Sequence, residues 1–244
     1  MTYAVSKTIE IEKIPVIDVK PLRAGTLENA HSVALEIRKA AEEIGFFYIR
    51  NHGVPESVIK QSYSAAKDFF NLPKVVKNNV KINSNHHGYL CFGEAKMEQA
   101  ESVDLKESFV WGLDLPDEHP SVTIENPFLG RNQWPVEIPE FKESVYPFFE
   151  AGLQCGFDMM RAFALGMGLP EDSFLKTTDE PIARSSIIHY PPQSEDLGDE
   201  QFGVAPHTDY GCLTLLWQDQ VGGLEVQNRE GEWGTAHPIE NTIV

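Results

Sequence analysis

From Leu213 onward the chain is cut into short runs of strand-forming residues separated by glycine turns. Leu213-Thr214-Leu215-Leu216-Trp217 comes first. Gly222-Gly223 follows, then the alternating run Leu224-Glu225-Val226-Gln227-Asn228, and a third run begins at Trp233. Short strands at close spacing with glycine punctuation predict a β-sandwich or barrel.

At the head of this stretch stands Ala205-Pro206-His207-Thr208-Asp209-Tyr210-Gly211-Cys212. In extended backbone, residues i and i+2 point to the same face, so the imidazole of His207 and the carboxylate of Asp209 can close on one metal ion. Two histidines and one carboxylate on one side of Fe(II) leave three positions open, the arrangement of non-haem iron oxygenases. The chain supplies two such ligands in one motif, and no convincing second histidine follows before Val244. Taken alone, the triplet also fits a surface histidine beside a turn aspartate. The β-scaffold that follows is what favours a metal pair. Cys212, three residues past Asp209, reads as a buried structural thiol rather than a ligand.

Upstream, the order is mixed helix and strand. Ile14-Pro15-Val16-Ile17-Asp18 reads as a short strand. Thr26 is placed to cap a helix whose apolar positions are Leu27, Ala30, Ala34, Ile37, Ala41 and Ile44, with Gly45 as its stop. Phe46 to Ile49 is a strand, Asn51-His52-Gly53 a turn, and Pro55 the first residue of a helix carrying Ile59, Ala66, Phe69 and Phe70. Residues 77–99 read as loop, and Phe109 to Leu113 as strand. Residues 116–139 read as irregular, and Phe141 to Gly166 as one long amphipathic helix. Strand character resumes from Ser186 to Tyr190.

A formal net charge of −17 argues against nucleic acid as a partner, because phosphates require a basic face, and against anionic membranes. Three widely spaced cysteines with no C-x-x-C indicate a reducing compartment. The first residues lack the apolar segment of a signal peptide, and no run approaches the length of about 18 apolar residues that a membrane span needs. A cytoplasmic location and an undetermined oligomeric state follow as expectations.

The residues together carry a family signature. Ile14-Pro15-Val16-Ile17-Asp18, Gly45-Phe46-Phe47-Tyr48-Ile49, Asn51-His52-Gly53-Val54 and Phe69-Phe70-x-Leu72-Pro73 come in order. Gly88-Tyr89, Gly93-Glu94, Asp104-Leu105-Lys106-Glu107-Ser108-Phe109 and Asn132-Gln133-Trp134-Pro135 follow. His189-Tyr190-Pro191-Pro192 then precedes His207-Thr208-Asp209, and Gly223-Leu224-Glu225-Val226 comes after. In this order and over nearly the whole chain, the sequence resembles the isopenicillin N synthase-like family of Fe(II)- and 2-oxoglutarate-dependent dioxygenases.

The resemblance implies an α+β fold, a distorted double-stranded β-helix or jelly roll with a helical N-terminal region. The expected organisation is a non-haem dioxygenase N-terminal region over 1–115, a linker and long helix over 116–180, and the first, incomplete part of the jelly roll over 181–244. The resemblance also implies Fe(II) bound by His207 and Asp209, 2-oxoglutarate held near Tyr190, and O2 as oxidant. The reaction would be oxidation of a small organic substrate by hydroxylation, desaturation or cyclisation, with release of succinate and CO2. An oxidase of the same family that does not use 2-oxoglutarate, or an inactive homologue acting as a binding protein, is the alternative.

Two departures stand beside the resemblance. Many relatives place an arginine at the position of Ser186, whereas here the arginine is Arg184. The family's second histidine ligand and its Arg-x-Ser anchor for 2-oxoglutarate do not occur up to Val244. The chain therefore reads as a piece of a longer protein, with residues 1–244 alone expected to be inactive. Of the remaining histidines, His52 and His189 read as structural, His237 as a loop residue, and His86 and His87 as lying where relatives border the substrate.

Overall fold

The structure is a computed structural model that describes residues 14–96, 102–123, 126, 128–193 and 202–244. In chain order the strands are β1 (Val16–Asp18), β2 (Tyr48–Arg50), β3 (Gly88–Leu90), β4 (Glu107–Gly112), β5 (Arg184–His189), β6 (Glu225–Gln227), β7 (Trp233–Thr235) and β8 (Thr242–Ile243). The helices are α1 (Pro21–Ala24), α2 (Leu27–Glu43), α3 (Glu56–Phe70), α4 (Lys74–Lys77), α5 (Pro120–Thr123) and α6 (Phe141–Gly166). Two compact units emerge. One joins Ser57–Glu150 to Glu180–Asp209, and the other joins the residues up to Glu56 to Ala151–Asp179 and Tyr210–Val244.

In the unit that holds the chain's first strands, β1 runs parallel to β2, and β8 pairs antiparallel with β2 through Ile49↔Ile243. Helix α2 starts where Thr26 Oγ1 accepts from the Asn29 N–H at 3.2 Å and ends before Gly45, whose φ of 87° only glycine adopts without strain. Its buried stripe is Ala30, Val33, Ala34, Ile37 and Ala40. Ala30, Ala34 and Ile37 are buried as predicted, Val33 and Ala40 join them, Leu27 lies exposed, and small alanines carry most of the stripe. They allow close approach. A Cβ at Gly166, the last residue of α6, would stand 2.8 Å from the Ala34 carbonyl oxygen.

The other unit carries the sheet β3-β4-β5, antiparallel throughout. Its core is aromatic. The Phe69 ring lies 4.9 Å from that of Phe109, 5.1 Å from Phe141 and 5.8 Å from Tyr89, mostly edge to face. The β4 positions are all buried, which a strand covered on both faces requires.

Four expectations need correction. The stretch 77–99, read as loop, contains α4's last residue, a 3₁₀ turn at Asn78–Val80 and strand β3; Met97 to Gln99 lie outside the described residues. β3 is only three residues long and begins at Gly88, where φ is 116° and a Cβ would meet the Val80 carbonyl oxygen at 2.5 Å. A strand that short, opened by a glycine between turns, leaves no alternation to read. The described part of 116–139 is irregular except for α5.

The run Leu213–Trp217 forms no regular strand. Leu216 and Val244 exchange both backbone hydrogen bonds at 2.9 Å, a single rung where a strand needs a ladder. Cys212, expected to be buried, is exposed; with no strand formed beside it, no layer covers its thiol. Among the described residues, no helix is long and apolar enough to cross a membrane.

Candidate active site

The register of β4 and β5 places Glu107 opposite His189, Ser108 opposite Ile188, Val110 opposite Ser186 and Gly112 opposite Arg184. Paired residues share a face, and neighbours along a strand alternate. One face therefore carries Glu107, Phe109, Trp111, Ile187 and His189 and packs on the aromatic core. The other carries Ser108, Val110, Arg184, Ser186 and Ile188, and the alternation continues past the strand end to Tyr190. Ile188 and Tyr190 are both about half exposed.

The segment 202–209 is tied to the residues just before β4. Leu105 N–H donates to the Phe202 carbonyl at 3.0 Å, and Ala205 N–H donates to Asp104 Oδ1 at 3.0 Å. Gly203 lies under the Tyr190 ring so closely that a Cβ there would be 2.8 Å from Tyr190 Cδ1. Asp104 is 1% exposed, and Lys106 Nζ stands 3.2 Å from its second oxygen. The Ala205 carbonyl in turn accepts from His207 Nδ1 at 2.9 Å. A buried carboxylate thus fixes a backbone amide two residues from an imidazole, and that residue's carbonyl fixes the ring's tautomer. With the proton on Nδ1, Nε2 presents its lone pair.

His207 Nε2 and Asp209 Oδ1 are 3.2 Å apart, and both side chains are partly open to solvent. Two ligands about 2.1 Å from one ion and at right angles to each other stand about 3.0 Å apart. The pair therefore fits two adjacent positions of an octahedral metal. Among the described residues, no group of three His, Cys, Asp or Glu side chains converges on a single point. His237, read from the sequence as a loop residue, is exposed in the loop after β7, and its carbonyl accepts from the Tyr48 hydroxyl at 2.7 Å.

Tyr190 keeps its proton. The protein around the ring raises the phenol pKa, and the Asp104 charge adds to the effect. His52 is buried and accepts from the Val54 N–H through Nδ1 at 3.2 Å, a structural role. His86 has a positive φ of 59°, its ring lies against Phe128, and its carbonyl accepts from Arg184. His87 is fully buried, and burial, the largest influence, holds it neutral.

Two residues had no role assigned from the sequence. Asp104 is one. Glu107 is the other: it is buried and binds Lys77 Nζ at 2.6 Å, the Tyr89 hydroxyl at 2.5 Å and His189 Nδ1 at 2.9 Å. The available signal was two acids, Asp104 and Glu107, at the entry to an apolar strand, where a charge needs a partner.

Comparison with known proteins matches residues 14–137 to the family described as non-haem dioxygenase in morphine synthesis, N-terminal, and residues 182–244 to the 2OG-Fe(II) oxygenase superfamily. The chain belongs to the 2OG-Fe(II) oxygenase superfamily. A 2-oxoglutarate-Fe(II) type oxidoreductase of Metarhizium rileyi is 35% identical over 251 residues, covering 95% of this chain and 67% of the relative. A 2-oxoglutarate-dependent dioxygenase of Didymella fabae is 34% identical, covering 97% and 75%. The crystal structure of a full-length Neurospora crassa protein in complex with alpha-KG superposes with a TM-score of 0.81 at 30% identity, covering 94% of this chain and 71% of that one.

The fold is accordingly the double-stranded β-helix of that superfamily with associated helices. The protein is a 2-oxoglutarate-dependent oxygenase, an oxidoreductase that uses Fe(II), 2-oxoglutarate and O2 to oxidise a small organic substrate with release of succinate and CO2.

Proposed function

We propose that His207 Nε2 and Asp209 Oδ1 supply two of the iron ligands of this oxygenase, and that Tyr190 borders the 2-oxoglutarate position. The observation that carries the reading is the 3.2 Å separation of the two ligand atoms, with Nδ1 of His207 held by the Ala205 carbonyl. When bound, the iron with its cosubstrates supplies the oxidising power for C–H oxidation. The protein's own part is positioning: the Ala205 carbonyl fixes the imidazole tautomer, and Asp104 holds Ala205. Tyr190 stays protonated, so its phenol is a donor to an anionic ligand. The regions 1–115, 116–180 and 181–244 would divide the labour as N-terminal support, helical connector and ligand-bearing jelly roll. The substrate is a small molecule handled in the cytoplasm, without nucleic acid or membrane, a reading supported by the acidic surface. The Neurospora relative has been crystallised with thymine, a molecule of that size.

The test is succinate formation by the purified protein with Fe(II), 2-oxoglutarate, ascorbate and O2. Succinate without oxidised substrate would still support cosubstrate binding. Oxidation with no 2-oxoglutarate consumed would assign the protein to the oxidase branch and remove Tyr190 from the reading.

Two measurements refine the site. Asp104→Ala weakens binding of Mn(II), a stand-in for Fe(II), by about 10- to 100-fold, the usual effect of losing support behind a metal ligand. Asp104→Asn, which keeps an acceptor for the Ala205 amide, restores most of it. Equal Mn(II) affinity in wild type and Asp104→Ala, with both folded by circular dichroism, would show that the Asp104–Ala205–His207 chain does not reach the metal. Tyr190→Phe raises the 2-oxoglutarate dissociation constant by about 10- to 100-fold, the worth of one hydrogen bond to a charged group. Calorimetric titration showing unchanged affinity would place the cosubstrate elsewhere.

A further inference from the structure

Lys106 stands in the chain between two buried acids, Asp104 and Glu107, at the entry to β4. Glu107 has its own cation, Lys77 Nζ at 2.6 Å. Lys106 goes to the other acid. Its ammonium lies 3.2 Å from Asp104 Oδ2, and its side chain is only 12% exposed. Among the described residues, Lys106 makes no other ion pair, and Oδ2 accepts no hydrogen bond. The charge on a fully buried carboxylate oxygen is therefore balanced by this one ammonium.

A cation beside a buried acid is ordinarily a matter of stability alone. Asp158 fits that reading, buried with Arg23 at 3.4 Å and Arg161 at 3.8 Å. Asp104 differs in what its first oxygen does. Oδ1 accepts from the Ala205 N–H at 3.0 Å, and the Ala205 carbonyl accepts from His207 Nδ1 at 2.9 Å. The Lys106–Asp104 pair thus ends on the backbone that holds an imidazole of the metal motif. A charged acceptor grips an amide about twice as strongly as a neutral one, and the grip lasts only while the carboxylate keeps its place. With the ammonium gone, a buried charge stands without its opposite and is driven toward water.

We propose that Lys106 is a positioning residue for the iron site, acting through Asp104 and Ala205 on the imidazole of His207. It supplies no ligand. Its part is to keep the Asp104 carboxylate seated, so that the Ala205 carbonyl stays aimed at Nδ1 and Nε2 stays aimed outward. The contribution is charge, so arginine can serve in its place, whereas methionine, of similar length and neutral, cannot. The inference rests on the proposed function in one respect, that His207 binds the iron.

Two readouts on the purified protein test it, and the first needs no metal. In metal-free protein, Lys106→Met speeds amide hydrogen exchange at Ala205 by at least about tenfold and leaves the amides of β4 unchanged, as a local opening does. In the second, Lys106→Met weakens Mn(II) binding by about tenfold, the lower end for a group behind a metal ligand, and Lys106→Arg keeps the wild-type affinity. In the Asp104→Asn background no carboxylate needs a counter-charge, and there Lys106→Met changes Mn(II) affinity by less than about twofold. Unchanged exchange at Ala205, or exchange that rises along β4 as well, would make Lys106 a stability residue and overturn the proposal. An equal loss of Mn(II) affinity in the Asp104→Asn background would show that Lys106 does not act through Asp104, and overturn it too. Faster exchange at Ala205 with wild-type Mn(II) affinity would cut the link to the metal and remove the positioning role. Should the wild type bind no Mn(II), the iron assignment fails and the proposal with it, a result that the wild-type control tells apart from the others. If Lys106→Met does not fold, Lys106→Gln takes its place in every arm.

Discussion

His207→Ala and Asp209→Ala should each abolish 2-oxoglutarate-dependent oxidation and leave the fold in place, if the two side chains hold the iron as proposed. The two ligand atoms stand 3.2 Å apart, a separation that suits one metal ion, and both side chains are partly open to solvent. Losing groups that support metal ligands typically costs 10- to 100-fold in activity. Removing a ligand itself should cost at least about a hundredfold. Stability should barely move, because truncating a partly exposed side chain makes no cavity, and such surface changes usually stay within about 0.5 kcal/mol. Succinate release, Mn(II) titration and thermal melting measured on the same preparations separate the two effects. A His207→Ala variant that turns over normally with iron would remove His207 from the metal site. One that loses activity together with several degrees of melting temperature would make its role structural.

The elements most legible in the sequence are those with a long period or a chemical punctuation mark. Helix α6 falls on Phe141–Gly166 as its apolar spacing predicts, and α2 starts at Thr26 and stops at Gly45 because capping chemistry is local. The i, i+2 spacing of His207 and Asp209 agrees with the 3.2 Å separation of Nε2 and Oδ1, whereas the spacing alone does not separate a metal pair from a surface histidine beside a turn aspartate. Strand β3 was not legible: what makes it a strand is the register of β4, a non-local fact. Leu213–Trp217 has strand composition, yet a strand also needs a ladder of partners along its length, and the pairing of Leu216 with Val244 is a single rung. Asp104 and Glu107 sat inside a recognised motif without a visible task. Their partners, Ala205 for one and Lys77, Tyr89 and His189 for the other, come from segments that only the fold brings together.

Glu107→Ala should cost about 3–5 kcal/mol of stability, the range for breaking a buried ion pair on one side. The carboxylate and Lys77 are both buried, 2.6 Å apart, and removing the acid leaves the ammonium, among the described residues, with the neutral Phe70 carbonyl at 3.0 Å and the rings of Phe70 and Tyr89. Tyr89 and His189 lose their acceptor in the same step. The pH dependence follows from the direction of the shift. Burial pushes the Glu107 pKa up, but the hydrogen bonds from Lys77, Tyr89 and His189 outweigh it and leave the folded pKa below the ordinary value. A depressed carboxylate pKa contributes stability that is complete above the unfolded value of about 4.3 and is lost as pH falls through the folded one. The gap between wild type and Glu107→Ala in urea denaturation should therefore be widest near neutrality and narrow below about pH 4. A gap under about 1 kcal/mol at pH 7, or one that widens on acidification, would contradict this account. Replacing both partners, Lys77→Met with Glu107→Leu, should recover much of the loss, since an apolar pair leaves no buried charge without its opposite. If the double variant were no more stable than Glu107→Ala alone, the cost would lie in the hydrogen bonds to Tyr89 and His189 rather than in the stranded lysine.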